Sequence, residues 1–106
     1  MSHTITTSTG ERIVVVDFGA TELSGSLHHD DAHRVLELLH DEGVERISVD
    51  LGPYGHAPGP GRVFIKDWSE HRGLAERMRA SGLVRIVRSV RVGPFASLAH
   101  EVEVTL

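Results

Sequence analysis

Histidine is the residue with the most chemical potential in this chain, because 106 residues hold eight of them and no cysteine. Neutral imidazole ligates divalent metals and exchanges protons near neutral pH. On a helix, His29, His33 and His40 would share one stripe with Leu36, and His29 and His33, one turn apart, could converge on a divalent ion. Glu37 could add an oxygen ligand, and His28 or His56 could supply the third. The same stripe also reads as the hydrophilic flank of an ordinary helix, with His40 favoured near the C-terminal end of the dipole.

His71 and His100 have a different setting, since both alternate with apolar residues. His71 lies among Trp68, Leu74 and Met78, and His100 among Leu98, Val102 and Val104. Inward histidines are either hydrogen-bonded core residues or acid–base groups with shifted pKa values. Asp17, Asp50 and Asp67 each end an apparent strand, and parallel strands would gather them beside one crevice. As an enzyme, the chain would use His71, His100 or Asp17 for acid–base chemistry on an apolar small molecule. Caps and turns are the alternative employment of such aspartates.

Residues 52–61, GPYGHAPGPG, hold four Gly and three Pro and form a loop. A phosphate cradle needs consecutive N–H donors, which Pro53, Pro58 and Pro60 lack. Tyr54 and His56 make the loop a candidate lid or binding tip, and Trp68 and Arg62 join them as candidate ligand- or partner-binding residues. Arg85, Arg88 and Arg91 recur every three residues through a strand, which implies a bulge near Val87 and Arg88. Glu101 and Glu103 on the neighbouring strand would pair with them on a solvated face. Hydrolase and metalloprotease motifs are absent, and the serines read as turn or exposed-end residues.

The elements that must position these groups follow from periodicity. Residues 2–8 and Arg12 to Phe18 read as an N-terminal hairpin around Thr9-Gly10, with IVVVDF apolar on both faces and therefore central in its sheet. Ala32, Val35, Leu36 and Leu39 recur at helical spacing from Asp30 to Glu42, and Gly43 stops that helix. Arg46 to Leu51 alternates as a strand, and Val63 to Lys66 is another. Asp67 followed by Glu70 opens a second helix. Residues 83–92 and 98–106 are further strands. The order is a ferredoxin-like βαββαβ core with an extra N-terminal and C-terminal strand, an α+β fold. The alternative is a three-layer α/β sheet with parallel strands.

VVVDFGATELSG, an amphipathic helix and ISVDLG together resemble the opening half of STAS domains, the anti-sigma-factor antagonists, over residues 13–51. That family continues with a D-S-[ST]-G-L helix where this chain reads GPYGHAPGPG, and it ends in a helix where this chain ends in strands. The resemblance therefore transfers no functional residue.

Composition excludes several classes. Missing cysteine removes disulfides, thiolate zinc and iron–sulfur clusters. No motif supports a nucleotide, flavin or haem, so a divalent metal is the one cofactor with residues to argue from. The net charge of −4 is uneven: residues 1–61 carry three Arg against ten acids, and residues 62–91 carry eight basic residues against three. Five aromatic residues and an acidic total speak against nucleic acid. No leader or membrane-length apolar run is seen, which points to a cytoplasmic setting. The expectation is one domain that binds a protein partner or small ligand through its sheet face or the 52–61 loop, as a homodimer. A small dimeric enzyme of the α/β-barrel kind and a histidine-based metal binder are the alternatives.

Overall fold

The computed structural model describes residues 9–105 and is an α+β fold of two antiparallel sheets and one α-helix. Sheet A is a meander of β1 (Thr9–Asp17), β2 (Glu22–Asp30), β3 (Val35–His40) and β4 (Gly43–Arg46), in that order. Sheet B contains β5 (Arg62–Lys66), β6 (Val84–Val92) and β7 (Ser97–Val104) in the order β5-β7-β6. The helix α1 (Leu74–Ala80) joins β5 to β6, and short 3-10 turns occupy Gly52–Tyr54 and Ser69–His71. Among the described residues no helix is long and apolar enough to cross a membrane.

The helix expected over residues 30–42 is absent, and its place is taken by the β2–β3 hairpin. Leu36 and Leu38 point inward opposite His29 and Leu27, while Glu37 and Leu39 point outward. Arg34 adopts φ 57° in the turn, a conformation that no α-helix propagates. Asp30 and Asp31 hold that turn instead of starting a helix: Asp30 accepts the His33 N–H, and Asp31 binds the Arg34 guanidinium at 2.9 Å. With one helix and antiparallel pairing throughout, the βαββαβ order and the parallel three-layer arrangement both lack their first helix among the described residues.

β1 passes through the expected Thr9-Gly10 turn and, among the described residues, pairs on one side only, with β2. The expected strand over residues 2–8 lies outside the described residues. The doubly apolar pattern of β1 has another cause. Val14 and Val16 face the core, whereas Ile13, 78% exposed, and Val15 lie on the outer face. The strand expected over 46–51 reduces to the end of β4 and one bridge, Val49 to Phe64. The second helix begins later than Asp67: Trp68 is extended, and α1 starts after Gly73, burying Leu74, Ala75 and Met78.

The principal core lies between the inner faces of the two sheets and α1, with Leu27, Leu36 and Leu38 meeting Val63, Ile65, Val102 and Met78. A second cluster, Leu51, Phe64, Val92 and Ala99, fills the opposite face of sheet B beneath the 52–61 loop. The expected bulge is present, with the register shifting between Ile86 and Arg88. Its consequence is a change of face. Val84 and Ile86 pack into the principal core, whereas Arg88 and Val90 join the far side and Ser89 turns to the core side beside His100.

Candidate functional site

The 52–61 loop is held in place at both ends. At its start the 3-10 turn closes with Tyr54 and His56 N–H donating to the Leu51 carbonyl at 2.9 and 3.2 Å. At its end two carboxylates capture glycine N–H groups: Glu101 accepts from Gly59 at 2.8 Å and Asp31 from Gly61 at 2.7 Å. Glu101 is 2% exposed, so the expected solvated Arg–Glu face is corrected there to a buried acid. Burial pushes its carboxyl up, but the Gly59 N–H and the Arg88 guanidinium outweigh burial and leave it below the usual range. Arg88 binds it at 2.5 Å and Arg62 at 3.6 Å, and Arg85 pairs with Glu103 at 3.0 Å.

Between this anchored loop, the β2–β3 turn and the 46–52 segment lies a cleft of about 320 Å³. Arg34, Arg46, His33 and His56 line it against a single carboxylate, Asp50. Its wall is rigid. Ser48 Oγ accepts the Leu36 N–H at 2.9 Å, Ile47 and Ser48 both donate to the Leu36 carbonyl, and the Asp50 carboxylate accepts the Gly52 N–H at 2.8 Å. Arg34 and Arg46 are each oriented by one acid outside the lining, Asp31 and Glu37 respectively. A guanidinium carries five N–H donors, so both retain donors for an anion. The volume is at the lower end for small-molecule sites.

Of the candidate binding residues, His56 reaches the cleft and stacks edge-on to Phe64, with ring centroids 6.1 Å apart. Tyr54 lies against Gly93, Trp68 packs on the second cluster with Lys66 over its ring, and Arg62 is committed to Glu101. The candidate metal pair occupies different elements, His29 inward on β2 and His33 exposed in the turn with its Nδ1 2.8 Å from Asp30. The helical spacing that would have joined them is absent. Among the described residues no group of three or more histidines and acids is arranged to hold a metal ion.

The three candidate acid–base residues sit apart. Asp17 accepts the Gly19 N–H at 2.8 Å and receives Arg77 on its carbonyl at 3.1 Å, a turn-holding role. His71 is 4% exposed, packs 6.2 Å from the Phe18 ring, and finds no hydrogen-bond partner for either ring nitrogen among the described residues. His100 is hydrogen-bonded at both nitrogens, to Ser89 and to Asp67. Sequence reasoning missed Arg34, Arg46 and Ser48 as cleft residues, while Asp50, expected beside a crevice with Asp17 and Asp67, lines this one without them. Sequence reasoning also missed Ser89, although the bulge it foresaw is what places that residue beside His100.

Burial lowers the pKa of His71, against the opposing pull of Glu70, and lowers that of His29, 7% exposed, against Asp31. Above the unfolded value of 6.5 both rings are neutral in either state and add no pH dependence. Below it the unfolded chain binds protons that the folded chain excludes. Stability therefore falls as pH drops through that value, by up to about 1.4 kcal/mol per pH unit for each ring. His71→Leu removes two unpartnered nitrogens and one of these rings. It should stabilise the fold by about 1 kcal/mol or more at pH 7 and flatten the loss below pH 6.5, as read by urea unfolding at several pH values.

Compared with protein-family models, with curated proteins and with solved structures, the chain matches none.

Proposed function

We propose that this chain is a binding module whose cleft beside the 52–61 loop takes a small anionic ligand carrying phosphate or carboxylate groups. The observation that carries this reading is the lining: two arginines and two histidines against one aspartate, on walls fixed by backbone hydrogen bonds. Guanidinium groups with spare donors favour planar or tetrahedral oxyanions, and a fixed wall reduces the ordering cost of binding. Pyrophosphate is a suitable probe. At a hundredfold excess over its dissociation constant it should stabilise the fold by about 2.7 kcal/mol in thermal unfolding. Arg46→Gln, a change at a half-exposed side chain, should weaken that binding about tenfold through loss of one charge-assisted contact. An equal stabilisation by sodium chloride at matched ionic strength, or an unchanged affinity in Arg46→Gln, contradicts the proposal.

The same reading includes a homodimer formed through the outer face of sheet A. The strand register aligns Ile13, Ser26, Leu39 and Val44 in one row across all four strands, with Val15 adjacent, and the large apolar members of that row are exposed. Exposed large apolar side chains in one row of a sheet face, interrupted here by Ser26 on β2, suit an association surface, and a second copy offers a matching row. Ile13→Lys should convert a dimer to a monomer in sedimentation equilibrium without lowering stability. A wild-type monomer at high micromolar concentration contradicts this part of the proposal.

A further inference from the structure

Ser89, His100 and Asp67 form a continuous hydrogen-bonded chain on the face of sheet B opposite the loop and its cleft. Ser89 Oγ is 2.7 Å from His100 Nδ1, and His100 Nε2 is 3.2 Å from Asp67 Oδ2. A carboxylate only accepts, so Nε2 carries the ring proton and Nδ1 presents its lone pair to the Ser89 hydroxyl. Asp67 is itself fixed, with Oδ1 accepting the Gly73 N–H at 2.6 Å. That bond, followed by the His100 contact, holds its carboxyl below the usual range and keeps it ionised at neutral pH. His100 is part-buried opposite Ile65, while Ser89 is exposed on β6 directly across from it. The β6 bulge creates the pairing, since unbroken alternation from Ile86 would have pointed Ser89 to the other face.

The geometry points to Ser89 as a nucleophile toward small activated carboxylic esters, with His100 as its base and Asp67 as the positioning residue that holds the imidazole. These are the roles of a serine–histidine–aspartate relay, with the two ring nitrogens exchanged. In the step, Ser89 Oγ bonds to the carbonyl carbon while its proton passes to His100 Nδ1. The bond from that carbon to the leaving oxygen then breaks, and the alcohol departs with the proton from His100. Water repeats the sequence on the acyl-serine, releasing the carboxylic acid and restoring the hydroxyl. The open position of Ser89 suits small acyl groups better than long enclosed ones.

A fluorophosphonate tests this directly, because Ser89 Oγ would displace fluoride and retain the phosphonyl group as a mass increase. The expected result is one label per chain, mapped to Ser89, absent in Ser89→Ala, and formed about a hundredfold more slowly in His100→Gln. Asp67→Asn should slow labelling as well, and Asp67→Glu should recover part of the rate. Thermal unfolding of each variant separates loss of reactivity from loss of fold, and a bond chain that only staples β6 to β7 would change melting alone. Labelling that is absent, spread evenly over the serines, or undiminished in folded His100→Gln overturns the inference. The pyrophosphate result bears on the other face of sheet B and is independent of this one.

Discussion

Glu101→Ala is expected to destabilise the fold by about 3 kcal/mol, near the lower end for breaking a buried ion pair. The lower end applies because Arg88 keeps 48% of its side chain exposed and can return to water once its partner is gone. The Gly59 N–H and the space left by the carboxylate account for the rest, since an unpaired buried donor and an unfilled cavity each cost free energy. Glu101→Gln keeps the shape and an acceptor for Gly59, and should cost about half as much. Urea denaturation would report both as lower midpoints at unchanged slope. A midpoint for Glu101→Ala within about 0.5 kcal/mol of wild type would show that the buried acid does not organise the loop. The functional consequence is a second readout: with Gly59 released, pyrophosphate affinity should fall in Glu101→Ala more than in Glu101→Gln.

Gly25→Ala should be at least as damaging, at about 3 kcal/mol or more, for a purely steric reason. A Cβ at position 25 would lie 2.0 Å from the Leu39 carbonyl oxygen and 3.2 Å from the His40 Cα, both backbone atoms of β3. Neither can rotate away, so β2 and β3 would have to separate next to the Ser26–Leu39 pair. Gly43→Ala provides the contrast, because position 43 has φ 136° but open space around it, and its cost is backbone strain alone. Thermal unfolding should place Gly25→Ala below Gly43→Ala, at roughly 4–8 °C per kcal/mol for a domain of this size. The reverse order would mean that the β2–β3 spacing is more yielding than its geometry indicates.

The carboxyl-terminal strands and β1 are legible in the residue pattern, and residues 30–51 are not. Strands β5 and β7 alternate, with Val63 and Ile65 and then Val102 and Val104 on one face, β6 is rich in Val and Ile, and the three-residue spacing of Arg85, Arg88 and Arg91 reveals the bulge. Residues 35–39 defeat periodicity because Val35, Leu36, Leu38 and Leu39 satisfy a period of 3.6 and a period of 2 almost equally. Contacts from outside the segment decide between them: Leu27 opposes Leu38, His29 opposes Leu36, and Arg34 turns the chain at positive φ. The cleft inherits that ambiguity, since Arg34 and Arg46 meet only when the β2–β3 turn exists. His56 was identifiable because it is the one ionisable side chain apart from Tyr54 in a Gly/Pro loop. His100 was identifiable from its alternation, but its partner Ser89 required following the bulge through to the change of face.

The cleft between the 52–61 loop, the β2–β3 turn and residues 46–52 carries the proposed ligand site. Titration of isotopically labelled protein with pyrophosphate, followed by amide chemical shifts, examines it residue by residue. The expected result is a saturable set of shifts confined to residues 33–35, 46–52 and 56–57, lost in Arg46→Gln and absent at Ile13, Val15, Leu39 and Val44 of the outer apolar row. Shifts that fail to saturate, or that centre on the basic strand β6 instead of the cleft, would contradict it.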